Sequence, residues 1–167
     1  MRVLQRAAAG AEAGLLAGAG VAVFFLVQDA VQLQPLSTPL ALASGFPGAG
    51  STDLDTGLIA RVAAFGALGV RLLAYTALHF LAFAAVGLTA AFLLRTSSFW
   101  ATLWGGVAYA SVACTGLFYG GRWIADMPLT PDALGVPTVV LANAMAGVLL
   151  GVGLHLAQSE PGDDGTF

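Results

Sequence analysis

Between Arg71 and Arg95 the chain reads RLLAYTALHFLAFAAVGLTAAFLLR, an apolar run of bilayer-spanning length closed by a charge at each end. Such a run has few stable homes. A helix needs about 20 residues to cross roughly 30 Å of hydrocarbon, and inside lipid only helices and closed barrels satisfy their own backbone. One ionisable side chain interrupts the run, His79. A polar group without a partner in hydrocarbon costs several kcal/mol, so the position of that partner is the first question the sequence poses.

Composition extends the argument to the whole chain. Hydrophobic residues make up 58% and charged residues 9%, with a mean hydropathy of +0.86, against about 25% charged in a soluble domain. A soluble globular fold is excluded. The sequence predicts an all-α polytopic membrane protein with four transmembrane helices in one bundle over residues 1–157. The spans fall near residues 8–28, 71–94, 99–119 and 136–157, joined by outer loops 29–70 and 120–135. Residues 158–167 are expected to form an acidic, flexible tail. Arg2 and Arg6 precede the first apolar run, and no small-x-small cleavage site follows it, so it reads as an uncleaved anchor. Trp100 and Trp104 near one end of the third run, with Tyr119 and Trp123 at the other, have the placing of aromatic belts.

Residues 57–70 are apolar apart from Arg61 and lead straight into the second span. One helix over 57–95 would be about 60 Å long, twice the hydrocarbon thickness. A break is therefore expected around Gly66, Gly69 and Arg71, leaving 57–70 as an interfacial or re-entrant segment before the second span. Earlier in that loop, Thr38 followed by Pro39 has the order of an N-cap and a first-turn proline, predicting a short helix along the interface. The string at 38–42 returns with one change at 130–134, each copy preceded by an acid, Asp29 or Asp126. This suggests two related helical hairpins. The arginines divide equally between the two faces. Arg2 and Arg6, beside the first span, favour an N-in, C-in orientation, and the lysine-free, Ala- and Gly-rich composition suits a bacterial inner membrane.

Counting inward from the ends at about 1.5 Å per residue brings His79, Asn143, Thr115, Cys114 and Ser111 to one depth. Tyr75 and Thr76 share the His79 face, one helical turn away. The expected site is thus an intramembrane polar layer of Tyr75, Thr76, His79, Ser111, Thr115 and Asn143, with His79 paired to Asn143, Ser111 or Thr115. Interhelical hydrogen bonding is the leading reading of that layer. A haem or quinone shared with a partner and a proton or solute path past His79 are the alternatives. His155 lies near the opposite membrane face, so a haem held between the two histidines of this chain is excluded.

The chain offers no H-E-x-x-H, G-x-S-x-G or P-loop and no residue cluster with metal spacing, so neither catalysis nor a metal site is expected. Nor is there the basic patch that nucleic acid requires. Gly10, Gly14 and Gly18 fall at four-residue steps on one helix face, as do Gly147 and Gly151 beside Asn143 and His155. Such small-residue ridges let helices approach closely. The functional expectation is a non-enzymatic accessory or scaffold subunit that packs in the bilayer against other membrane proteins or itself, with an electron-transfer complex as one setting. A small transporter or channel is the alternative.

The acid-ended first helix with its Pro and Thr-Pro loop (Asp29, Pro35, Thr38-Pro39) and the string Tyr75-Thr76-Ala77-Leu78-His79-Phe80 resemble features of uncharacterised small bacterial integral membrane proteins of four helices. The resemblance implies the four-span topology and carries no assigned activity.

Overall fold

The computed structural model describes residues 3–44, 58–94, 98–125 and 135–159. Five helices follow one another: α1 (Val3–Val31), α2 (Ser37–Ser44), α3 (Leu58–Leu93), α4 (Phe99–Ala125) and α5 (Val136–Ser159). All but α2 are long and apolar enough to cross a bilayer, and no strand occurs among the described residues. The all-α, four-span bundle expected from the sequence is the architecture observed.

Glycine decides which helices touch. α1 and α3 pair antiparallel along Gly10, Gly14 and Gly18: a Cβ on Gly10 would stand 2.7 Å from the Gly87 carbonyl oxygen, and one on Gly18 would stand 3.0 Å from the Phe83 side chain. A Cβ on Gly14 would run into the Phe83 carbonyl. The second pair, α4 and α5, repeats the device, with Gly147 against Gly106 and Gly151 against Thr102 and Leu103. Ala13 beside Gly153, and Gly20 beneath Leu149, join α1 to α5. The ring order is therefore α3, α1, α5, α4. The ridges seen in the sequence are spent holding this chain's own helices together.

The core they create is made largely of alanine, with Ala17, Ala90, Ala91, Ala110, Ala142 and Ala146 buried around Leu150 and Leu154. Larger apolar side chains such as Leu16, Val23, Leu81, Val112, Leu141 and Leu156 face outward. This pattern suits lipid, where tails are as apolar as leucine and nothing is gained by hiding it. Small residues instead bring backbones into van der Waals range.

One expectation is corrected. α3 runs unbroken through Gly66, Gly69 and Arg71 for 36 residues, about 54 Å at 1.5 Å per residue. No segment separates residues 58–70 from the second span. Glycine in a helix interior costs about 1 kcal/mol relative to alanine but leaves the hydrogen-bond ladder intact, whereas proline would remove a donor. α3 contains no proline. Excess length alone does not break a helix, because its far end can project beyond the bilayer.

The turn after α1 also differs from expectation. α1 ends in a Schellman motif: Gln34 N–H donates to the Asp29 carbonyl at 2.9 Å and Leu33 N–H to that of Ala30 at 3.0 Å, with Leu33 in the left-handed region at φ 56°. Leu36 follows at φ 68°, and its carbonyl takes the first helical bond of α2, from Leu40 N–H. α2 thus begins before Thr38, which is not the cap. Thr38 instead donates its amide and its hydroxyl to the two oxygens of the Asp29 carboxylate, at 2.8 and 2.7 Å. Asp29 caps α2 from nine residues upstream. The second Thr-Pro string at 130–134, the acid at 126 and the tail at 160–167 lie outside the described residues, and with them the hairpin repeat.

Candidate functional site

α1 and α3 approach so closely at Gly18 that the His79 side chain reaches the α1 main chain. Its Nε2 lies 3.0 Å from the Gly18 carbonyl oxygen. A carbonyl can only accept, so Nε2 carries the hydrogen, and Nδ1 of the neutral ring is left as an acceptor. The ring is packed on Phe83 at 4.8 Å, Phe80 at 5.4 Å and Tyr75 at 5.9 Å between centroids. The partner differs from those anticipated. Asn143, Ser111 and Thr115 do not bond His79; Asn143 Nδ2 instead donates to Thr115 Oγ1 at 3.0 Å, tying α5 to α4.

Other members of the expected layer are placed as follows. Thr76 turns its hydroxyl back to the Leu72 carbonyl at 2.8 Å. Ser111 is half-buried on α4. Tyr75, His79 and Asn143 converge with the buried Cys114 on a crevice of about 220 Å³, whose remaining wall is mostly apolar and includes Phe25, Phe83 and Phe118. From α2, Leu42 closes the crevice on the loop side. Tyr75 and His79 also face a second cavity of about 220 Å³ with Thr76, Phe80 and Thr38. His155 lies at the far end of the bundle, its ring 5.2 Å from that of Phe99. Among the described residues no three His, Cys, Asp or Glu side chains gather as metal ligands.

Among the described residues, α3 and α4 are tied together at the end of the bundle where α1 begins and α5 finishes. There Leu94 covers Gly105, the Thr89 and Tyr109 hydroxyls meet at 2.5 Å, and Gln158 Nε2 donates to the Leu94 carbonyl at 3.3 Å. Toward the loops the two helices leave a groove lined by Ala85, Val112, Gly116 and Gly120. Val86 and Leu117 line both the groove and the crevice.

Two elements of the site escaped sequence reasoning. A main-chain carbonyl has no residue signature, so Gly18 was read only as a packing position. Its alignment with His79 follows once α1 and α3 are paired in register, since Gly14 faces Phe83 and the next turn brings Gly18 to His79. The aromatic wall of Phe25, Phe83 and Phe118 could have been found from their depth, which matches that of the polar layer.

Compared with known proteins, the chain matches no family model, no curated sequence and no solved structure. Its class rests on the fold alone: it is an integral membrane protein, a four-span helical bundle with an aromatic and polar crevice in the loop-side half.

Proposed function

We propose that the protein is a non-enzymatic accessory or scaffold subunit that docks on another membrane protein. The observation that carries this reading is the overhang of α3. In the register set by Gly14 with Phe83 and Gly18 with His79, α3 draws level with the end of α1 near residue 66. Residues 58–65 then continue about 12 Å farther. On this arm Val62 is 63% exposed and Phe65 74% exposed. Where one helix outreaches the rest of the bundle, exposed apolar side chains of this size are a mark of interaction sites. A partner subunit rising above the same membrane face is the occupant we assign, and an electron-transfer complex remains one setting for it.

The interior supports this reading over a transport path. Below the crevice the α1–α3 and α4–α5 pairs meet backbone to backbone at their glycines, and Ala90, Ala146, Leu150 and Leu154 fill the centre at 0–2% exposure. No polar route continues among these residues. The location we propose is a bacterial inner membrane with both termini cytoplasmic, in keeping with the resemblance to small four-helix bacterial membrane proteins. A photoreactive amino acid at position 65 tests the docking in intact membranes. The expected result is a discrete adduct to one partner protein; adducts to lipid alone would overturn it.

A further inference from the structure

We propose that the crevice bounded by Tyr75, His79 and Asn143 binds a neutral, single-ring amphiphile bearing a ring hydroxyl, the chemistry of a phenol- or quinol-headed lipid. Size sets the first limit. A cavity of 150 Å³ takes benzene, so about 220 Å³ admits one substituted ring and excludes a four-ring macrocycle such as haem. Phe25, Phe83 and Phe118 supply an aromatic wall. Among the described residues no charged side chain lines the space, so the ligand is neutral.

Hydrogen bonding sets the second limit. With Nε2 donating to the Gly18 carbonyl, His79 offers Nδ1 as an acceptor. Asn143 spends one N–H on Thr115, which leaves its second N–H and its carbonyl oxygen, and the Tyr75 hydroxyl makes no bond to a described residue. Around this mostly apolar space, two acceptors, a phenol and an amide N–H match a hydroxyl that donates to His79 or Asn143 and accepts from Tyr75 or Asn143. The α3–α4 groove adjoins the crevice, with Val86 and Leu117 lining both, and is the place we assign to the tail; a Cβ on Gly116 or Gly120 would meet nothing within 4 Å there.

The test uses the full chain in nanodiscs titrated with radiolabelled para-hexylphenol and with para-hexylanisole, its methyl ether. The phenol is expected to bind saturably at one per chain. The ether, which lacks the donor, should bind about tenfold more weakly, and Tyr75→Phe should weaken the phenol by a similar factor. Ala82→Phe, which fills the crevice from α3, should abolish saturable binding. Uptake that never saturates, or equal affinity for phenol and ether in the wild-type chain, would overturn the proposal. The ether comparison involves no mutation, so the outcome does not depend on any variant folding.

Discussion

Asp29→Asn isolates the contact that holds α2 in place. Asp29 is 2% exposed, and its two oxygens accept from the Thr38 amide and hydroxyl. Asparagine keeps the shape but turns one acceptor into a donor. The amide oxygen can keep the Thr38 N–H, and the threonine hydroxyl must then turn round to accept. Both bonds survive as neutral ones. A hydrogen bond to a charged group is worth about 1.5–3 kcal/mol and a neutral one about 0.5–1.5, so the pair loses about 2 kcal/mol. The α2 N-terminus also loses a negative charge worth about 0.3–1 kcal/mol. Opening of α2 should become easier by about 2–3 kcal/mol, roughly 30–150-fold in its equilibrium constant. Amide hydrogen exchange of residues 37–44 in detergent, read by mass spectrometry, measures this directly. Thr38→Val removes one bond of the two and should accelerate exchange about tenfold. If Asp29→Asn left α2 exchange unchanged, the capping role assigned to Asp29 would be wrong.

Gly14→Ala should prevent α1–α3 docking and lower the SDS concentration at which the bundle unfolds, while Gly116→Ala, facing open space, should be neutral or stabilising by up to about 1 kcal/mol. Leu33→Gly should stabilise the chain by about 1 kcal/mol in the same titration, since it relieves a left-handed non-glycine residue that is 88% exposed. His79→Phe should cost about 0.6–2 kcal/mol, one interhelical bond, because the Gly18 carbonyl keeps its own helical donor; a loss above about 4 kcal/mol would mean that the ring does more than tie α3 to α1.

Four spans were legible because apolar length and the scarcity of charge leave a chain few alternatives. The levelling of Asn143 with Thr115 was legible too, since about 1.5 Å per residue is fixed by helix geometry, and the two do bond each other. Partner choice was not. His79 turned to a carbonyl of Gly18, a group every residue owns and no side chain marks. The continuity of α3 was missed because helix length was weighed against bilayer thickness, although nothing in the local sequence removes a backbone donor. Asp29 reads in the sequence only as the acid that ends the first helix. Its burial depends on a turn with two left-handed leucines, residues that carry no turn signal.

The docking claim is tested most directly by the native mass of the particle extracted in mild detergent. The account predicts an assembly well above the 16.8 kDa of the chain, containing a second kind of subunit and collapsing to the free chain in Phe65→Glu. A stable particle holding only this chain, unchanged by Phe65→Glu and showing His79-dependent flux in vesicles, would contradict it and favour a transporter.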